Sequence, residues 1–284
     1  MSNHLADEAK KKVDQEIAQS QHNDHQDPPP KSHSDILIEQ ICDAEHTFQH
    51  TPLSLGASAF TAGLEIGFSY LLLLVAHHML SPYLPAEWVF KSFALFYPVG
   101  FIMVVIGQSL LFTEQTSLLS LPVLNNRQPF IKLLKLWITV ILGNLLGGWL
   151  FVVGTLWLGP ELGLFTPEDS YAIAHHVINH PFHIIFASAI LAGWLMGLLS
   201  WLVTSADSTT SRIIIVFLLT GSIALMGLHH SIVGNVEAFA GLISSEHIHL
   251  SDYLNFQISA LLGNAIGGAT FVAVLKYHTF ILNK

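Results

Sequence analysis

Six long apolar stretches dominate the chain and restrict what it can fold into. They run over residues 55–79, 93–119, 133–158, 182–203, 212–242 and 254–275. An α-helix needs roughly 20 apolar residues to cross about 30 Å of hydrocarbon, and each stretch reaches that length. A helix also satisfies its own backbone hydrogen bonds in lipid, and the period-2 alternation of barrel strands is absent. The chain is therefore predicted to be an all-α polytopic membrane protein with six transmembrane helices.

The membrane part of the chain is an internal duplication. The sequence LGNLLGGWLFV at residues 142–152 returns 120 residues later as LGNAIGGATFV at residues 262–272, with seven of eleven positions identical. In transporters, two such halves place the substrate route at their interface, near the bilayer midplane. We assign repeat one to residues 53–159 and repeat two to residues 180–277.

The distribution of basic residues indicates that the two repeats are inverted. Ten of the eleven lysine and arginine residues lie on one side of the six spans, and Lys91 alone lies on the other. Basic residues concentrate on the cytoplasmic side, so both termini are expected in the cytoplasm of a bacterium, with the spans in its inner membrane. Because three spans is an odd number, the second repeat enters the bilayer upside down relative to the first.

The segments outside the spans are expected to be accessory. Residues 1–33 are polar with few aromatics, which predicts a disordered cytoplasmic tail. Residues 34–50 place apolar side chains on one helical face, which predicts an amphipathic helix along the membrane surface, capped at Ser34 or Asp35. Residues 278–284 form a predicted cytoplasmic C-terminus.

The second and fifth spans are predicted to be broken near their centres. Glycine and polar residues interrupt them at residues 107–116 and 227–237. A broken membrane helix frees backbone groups that must find partners inside the protein or in a wet cavity. Asn144 and Asn264, which are equivalent in the two repeats, are expected to bond these freed groups and hold the breaks in shape.

Ionisable side chains lie within both predicted breaks, namely Glu114, His229, His230 and Glu237. Each costs roughly 2.5 to 3.5 kcal/mol at the bilayer centre, so a function is the first hypothesis for them. Histidine also exchanges protons in the physiological pH range. The alternative is that one histidine bonds a loose backbone carbonyl and the other faces a neighbouring subunit.

A histidine-rich segment separates the two repeats. Thr166 and Pro167 are expected to start a helix there, as cap and first helical residue. The histidines that follow are candidate ligands for zinc. However, Pro181 interrupts their helical spacing, and neither cysteine nor carboxylate completes a set of ligands. They are interpreted as exposed loop histidines, and no metal or cofactor is expected: His175, His176, His180 and His183.

Over residues 53–277 the chain resembles the formate/nitrite transporter family. The motifs are Leu111–Thr113, Gly143–Gly148, His230–Val233 and Gly263–Gly268, in the family's order and spacing. The resemblance implies an aquaporin-like protomer of two inverted three-helix repeats, a homopentamer with one pore per protomer, and passage of small monovalent anions or their acids.

The resemblance also implies the site. Thr113 would lie in the break of the second span, and His230 in that of the fifth span. There His230 would donate a proton or a hydrogen bond to a formate-like anion. Protonation would help because a neutral acid crosses an apolar constriction more easily than its anion. The constriction would lie on the cytoplasmic half of the second span. Constriction residues would be Tyr97 and Phe101, and pore-lining or supporting residues Ser231, Glu114, Glu237, His229, Asn144 and Asn264.

One departure from the family concerns charge at the pore mouth. The family usually has a lysine ahead of the fourth span, whereas this chain has Val177 or Ile178 there. This predicts a divergent branch with weaker attraction for anions. The predicted function is a proton-linked channel or transporter for formate-like, nitrite-like or hydrosulfide-like anions, with neither enzymatic activity nor a nucleic-acid partner. The alternatives are a pore for neutral ammonia or water, and a membrane sensor or scaffold without transport.

Overall fold

The computed structural model describes residues 31–270, and within them every regular element is a helix. The α-helices are α1 His33–Gln49, α2 Pro52–Leu80, α3 Ala86–Ser92, α4 Pro98–Gly107, α5 Phe112–Leu118, α6 Ser120–Leu124, α7 Phe130–Glu161, α8 Pro167–Ile178, α9 Phe182–Ser205, α10 Thr209–Met226, α11 Ser231–Ser244 and α12 Leu250–Gly268. The predicted tail up to residue 30 and the predicted C-terminus 278–284 lie outside the described residues.

The helices confirm an all-α membrane fold whose second and fifth spans are broken. Between residues 31 and 270, five helical segments are long and apolar enough to cross a membrane, and α12 follows as the sixth span. The second span consists of α3, a 3₁₀ turn at Phe93–Leu95, α4 and α5, and the fifth consists of α10 and α11. The second span begins at Ala86 and not at the predicted Phe93. The apolar stretch in the sequence starts later because the first turns of this span include the polar Glu87 and Lys91.

Hydrogen bonds near the helix ends show that the two repeats run in opposite directions. The end of the first span meets α8, where His77 and His78 bond the carboxylate of Asp169. The end of the fourth span instead meets α1, where Gln40 bonds Ser200. The first spans of the two repeats therefore point to opposite faces of the protein. We name these faces the linker side, where α8 lies, and the terminal side, where α1 lies.

The repeated glycines let the spans of each repeat pack backbone to backbone. A methyl group at Gly63 would overlap the backbone of Asn144, and one at Gly193 would overlap the backbone of Asn264. Small residues allow membrane helices to approach this closely. Each asparagine of the repeated sequence is thus held against the first span of its own repeat, in the same way in both halves.

Helix α1 packs against the membrane body through its apolar face, which includes Leu37, Ile41 and Phe48. The predicted cap at Ser34 or Asp35 is wrong, because Ser32 caps the helix. The Ser32 hydroxyl accepts from the Asp35 N–H at 3.2 Å, and the Asp35 carboxylate accepts from the Ser32 N–H at 3.0 Å. This reciprocal pair satisfies two free donors of the first turn.

Helix α8 links the two repeats and begins, as predicted, with Thr166 as its cap and Pro167 in its first turn. The prediction of loop histidines is wrong for His175 and His176, which belong to this helix. Asp169 anchors the helix, because it accepts hydrogen bonds from the Thr166 N–H as well as from the two histidines of α2.

We predict that Asp169→Asn lowers the stability of the detergent-solubilised protein by about 2 kcal/mol at pH 7, the effect of losing charged hydrogen bonds. Partial burial raises the pKa of Asp169, but bonds from Thr166, His77 and His78 bring it below the ordinary 3.8. With a depressed folded-state pKa, the stabilisation is complete above the unfolded pKa and is lost as pH falls through the folded one.

Thermal unfolding scans between pH 7 and pH 2.5 test this prediction. Asp169→Asn should unfold at a lower temperature than the wild type at pH 7, and the difference should shrink below about pH 3.8. The exposed neighbour Glu168 provides the control as Glu168→Gln. Equal unfolding temperatures for Asp169→Asn and the wild type at pH 7 would contradict the anchoring role.

Candidate functional site

The two broken spans are interrupted in the same way, by a left-handed residue at the end of a helix. Helix α4 ends at Gly107 and α10 ends at Met226, and the next residue in each case is left-handed. These residues are Gln108, with φ 58°, and Gly227, with φ 65°. A left-handed residue ends a helix and turns the chain aside. Each span resumes a few residues later, at Phe112 and Ser231.

Asn144 holds the break in the second span. Its Oδ1 accepts from the Phe112 N–H at 2.9 Å, and its Nδ2 donates to the Leu110 carbonyl at 2.8 Å. The same Nδ2 donates to the Ala59 carbonyl of the first span at 2.7 Å. One fully buried amide thus bonds both sides of the break and joins them to a neighbouring helix.

Asn264 makes the equivalent bonds in the second repeat. Its Oδ1 accepts from the Ser231 N–H at 2.7 Å, and its Nδ2 donates to the carbonyls of His229 at 3.2 Å and Ala189 at 2.8 Å. This is the scaffolding geometry that the sequence predicted for the two asparagines. The pairing also makes His230 the structural counterpart of Leu111, so the two repeats differ chemically at this position.

The breaks meet at a buried pair of side chains. Thr113 Oγ1 lies 2.9 Å from His230 Nε2, and both residues are almost completely buried. Thr113 belongs to the first turn of α5, and His230 is the cap of α11. The structure therefore brings together the two residues that the sequence placed in separate halves of the chain.

The capping role of His230 determines which ring nitrogen holds its proton. Its Nδ1 accepts from the N–H groups of Ile232 and Val233 at 3.3 and 3.4 Å. A nitrogen that accepts from an N–H is unprotonated, so the neutral ring has its proton on Nε2. That proton points toward Thr113, and a second proton on Nδ1 would displace both capping bonds.

A cavity of about 480 Å³ opens on the linker side and ends at His230. It descends from Lys91 and His176 near its mouth to Tyr97, His230 and Glu237. Deeper in the protein, the Phe101 ring lies edge-on to the His230 ring with centroids 5.1 Å apart. The cavity is thus largely apolar, with polar side chains along its wall, and it closes beside aromatic rings.

Tyr97 and Phe101 lie on the linker side of the break in the second span. The rings of Tyr97 and Phe101 pack in a tilted arrangement with 5.3 Å between centroids, before the break of the second span. Tyr97 lines the linker-side cavity together with His176 of α8. The sequence predicts these rings on the cytoplasmic half and also predicts the termini in the cytoplasm. Because the rings and the terminal side lie on opposite sides of the break, these two predictions exclude each other. The second span runs from the linker side inward, so residues ahead of its break lie on the linker side.

His229 is fixed by hydrogen bonds at the cavity wall. Its Nδ1 lies 2.9 Å from Ser188 Oγ and its Nε2 lies 3.1 Å from the Val177 carbonyl oxygen. Because a carbonyl only accepts, Nε2 is the donor. This matches the alternative in which one histidine bonds a loose carbonyl, and Val177 is one of the two residues predicted near the position where the family usually has lysine.

The remaining predicted site residues differ in their surroundings. Ser231 is fully buried beside His230, and its hydroxyl has no hydrogen-bond partner among the described residues. Glu114 lies in the first turn of α5 and is half-buried. Glu237 is 6% exposed and lines the linker-side cavity.

The mouth of the cavity contains residues that the sequence did not place at the site. The rings of Phe90 and His176 stack at 3.8 Å between centroids, and the Lys91 ammonium donates to the Leu225 carbonyl at 2.9 Å. Burial lowers the pKa of His176, as do the nearby His180, His175 and Lys91. A charged imidazole is thereby disfavoured at the mouth.

No metal centre is evident in this part of the molecule. Among the residues that the structure describes, no group of three histidine, cysteine, aspartate or glutamate side chains could hold a metal ion.

The chain is similar in sequence to known membrane proteins. The inner membrane protein YfdC of Escherichia coli is 32% identical over 249 residues, covering 85% of this chain and 76% of that protein. A probable formate transporter of Methanothermobacter thermautotrophicus is 27% identical over 242 residues. The match covers 78% of this chain and 87% of the transporter.

Solved structures show the same fold. An FNT family ion channel superposes with a TM-score of 0.78 at 21% identity, covering 87% of this chain and 99% of its own. A pentameric formate channel with formate bound gives a TM-score of 0.68 at 23% identity, covering 82% and 98%. The family model described as formate/nitrite transporter matches residues 35–278. The chain belongs to the formate/nitrite transporter family, whose members are membrane channels and transporters.

Proposed function

We propose that this protein is a homopentameric channel that passes small monovalent weak acids, such as formic acid, across a bacterial cytoplasmic membrane together with their proton. The observation that carries the proposal is the buried pair of Thr113 and His230, 2.9 Å apart where the two broken spans meet. The pair lies at the end of a cavity that is open to the linker side. At this pair a polar side chain of repeat one contacts a polar side chain of repeat two beside the two breaks.

His230 can serve a passing acid as a neutral hydrogen-bond donor. With Nδ1 engaged by two backbone N–H groups, the ring presents the Nε2 proton, which a carboxylate or acid carbonyl can accept in place of Thr113. Full protonation would displace the capping bonds. We therefore propose that the transported proton crosses on the substrate, and that His230 supplies the donor that replaces water at the constriction.

Relatives support the substrate and the assembly. Proteins described as a probable formate transporter and as a pentameric formate channel share this chain's sequence or fold. The related inner membrane protein of Escherichia coli supports the location. We propose that the linker side is external, because the described lysines and arginines other than Lys91 flank helices on the terminal side: Lys31, Arg127, Lys132, Lys135 and Arg212.

Transport into liposomes containing the purified protein tests this function. Formate, nitrite, hydrosulfide, acetate, ammonia and water are compared at pH 5.5, 6.5 and 7.5, with protein-free liposomes as the background. We expect protein-dependent flux of a small weak acid that increases as pH falls, since the protonated fraction then rises. A flux of ammonia or water alone would favour the neutral-solute pore, and the absence of any flux would favour the scaffold.

A further inference from the structure

A buried carboxyl group, that of Glu237, lies in the wall of the linker-side cavity. Glu237 belongs to α11 and follows His230 by seven residues, and both residues line the cavity. Seven residues are two turns of an α-helix, so the carboxyl lies on the same face as the central histidine and closer to the linker side. The cavity therefore contains a polar group that the pair of Thr113 and His230 does not use.

The Glu237 carboxyl has no partner in the protein. Glu237 is 6% exposed, and neither a hydrogen bond nor a salt bridge to it exists among the described residues. Its oxygens keep some access to the cavity. The ammonium of Lys91, near the mouth, donates instead to the Leu225 carbonyl at 2.9 Å. What the carboxyl faces is thus the cavity and whatever solute enters it.

The surroundings favour the neutral form of this carboxyl. A carboxyl group in an apolar site without a cation is more stable as the uncharged acid. Tyr70 and Tyr97 interact with Glu237 electrostatically. Further ionisable groups lie along the cavity or on helices packed against α11: Glu87, Lys91, Asp169, His176, His180, His229, His230 and Tyr253. A neutral carboxyl carries both a hydrogen-bond donor, its O–H, and an acceptor, its carbonyl oxygen.

The hydroxyl of Tyr97 is a second free polar group in the same cavity. Tyr97 is buried and lines the cavity with Glu237, and its hydroxyl has no hydrogen-bond partner among the described residues. A buried hydroxyl usually finds a partner. Two side chains on different spans therefore offer unused hydrogen-bonding groups to the interior of one largely apolar cavity.

We propose that Glu237 and Tyr97 form an outer binding site for small oxyacids, in which one atom carries both a double-bonded oxygen and a hydroxyl, as in formic and nitrous acid. Such an acid pairs with the neutral Glu237 carboxyl through two hydrogen bonds, one donated and one accepted, and the Tyr97 hydroxyl donates a third. The inference rests on the proposed function and names its substrate class. Hydrogen sulfide and ammonia have no oxygen with which to form this pair.

Transport kinetics of the full-length protein in liposomes test the site, with uptake of formate and of nitrite measured against concentration at pH 5.5 and 6.5. Two hydrogen bonds of ordinary strength correspond to about tenfold in binding, and one to about threefold. We expect Glu237→Met to raise the half-saturating concentration of both substrates about tenfold and Tyr97→Phe to raise it about threefold, with maximal rates close to the wild type. Glu237→Gln keeps a donor and an acceptor and should stay within threefold of the wild type.

The exposed Glu168 of the linker side provides the matched control. Glu168→Met makes the same exchange of side chains outside the cavity and should leave the half-saturating concentrations within twofold of the wild type. General damage to the protein by Glu237→Met would lower the maximal rate, whereas loss of a binding site raises the half-saturating concentration.

Infrared difference spectra give a measurement that does not require the methionine variant to fold. Comparison of the wild type with Glu237→Gln at pH 6.5 isolates the C=O stretch of the protonated Glu237 carboxyl. We expect this band in the wild type and a shift to lower frequency when formate is added, since a hydrogen bond weakens the C=O bond. A missing band, or a band that formate does not move, would overturn the binding site.

The outcomes separate this inference from the proposed function. If the wild type transports formate but Glu237→Met keeps the wild-type half-saturating concentration, the outer site is wrong and the channel stands. A formate flux in the wild type that increases linearly with concentration, without saturation, also overturns the site alone. If the wild type transports neither formate nor nitrite nor any other weak acid, both are overturned.

Discussion

Replacing His230 by alanine is expected to slow weak-acid flux about 10- to 100-fold. The substitution removes the Nε2 donor that lies 2.9 Å from Thr113 at the end of the linker-side cavity. A hydrogen bond to a charged or strongly polar group contributes about 1.5 to 3 kcal/mol, and each 1.4 kcal/mol is a factor of ten. Stopped-flow uptake of formate at pH 5.5 into liposomes measures the change.

Alanine also removes the cap of α11, which by itself costs about 0.5 to 2 kcal/mol of stability. His230→Asn separates the two roles, because asparagine is a good cap but is too short to reach the position of Nε2. We expect His230→Asn to unfold near the wild-type temperature and to transport as poorly as His230→Ala. The exposed His183 provides a neutral control as His183→Ala. Flux in both His230 variants within twofold of the wild type would contradict a central role for the ring.

Replacing Asn264 by leucine is expected to have the largest effect on stability. The substitution removes three buried hydrogen bonds, to the Ser231 N–H and to the carbonyls of His229 and Ala189. Each buried polar group left without a partner costs about 1 to 3 kcal/mol. The sum, roughly 3 to 9 kcal/mol, should lower the unfolding temperature by about 10 °C or more.

Controls distinguish loss of the scaffold from general damage to the sixth span. Asn264→Asp keeps the acceptor for Ser231 and loses the amide donors, so its unfolding temperature should fall between those of the wild type and Asn264→Leu. Leu262→Ala changes a half-exposed residue two positions away on the same helix. An unfolding temperature of Asn264→Leu equal to that of Leu262→Ala would show that the asparagine does not hold the break.

The duplication in the sequence made much of the scaffold predictable. Asn144 and Asn264 could be paired because the sequence around them repeats, and a break in each repeat supplied groups for them to bond. The breaks were visible because glycine and polar residues are conspicuous in an apolar span. Thr113 and His230 followed from motifs of a known family, and the structure adds that they lie 2.9 Å apart.

Other features could not be predicted, because they depend on the direction in which a span crosses the membrane or on contacts between residues far apart in the sequence. Tyr97 and Phe101 were placed by their distance from a motif, which does not state the direction in which the span crosses the membrane. The cap of α1 had several candidate serine and aspartate residues, and only the reciprocal bonds of Ser32 and Asp35 select one. The stacking of Phe90 on His176 joins residues far apart in the sequence, so no local pattern indicates it.

The sequence does not indicate which ring nitrogen of His230 holds the proton. Whether Nδ1 or Nε2 holds the proton depends on the direction of the backbone N–H groups of Ile232 and Val233. That geometry changes the account of transport, because it favours a neutral ring that donates a hydrogen bond over a ring that stores a proton. Under the proposed function, the proton then crosses on the substrate.

The central claim is that acid and proton cross together, and their ratio in liposomes tests it most directly. Formate uptake and internal pH are recorded simultaneously, while potassium and valinomycin set the membrane potential at 0 or about −100 mV. We predict one proton per formate and an uptake rate that does not depend on the potential. A formate current that follows the potential, without acidification of the interior, would contradict the account.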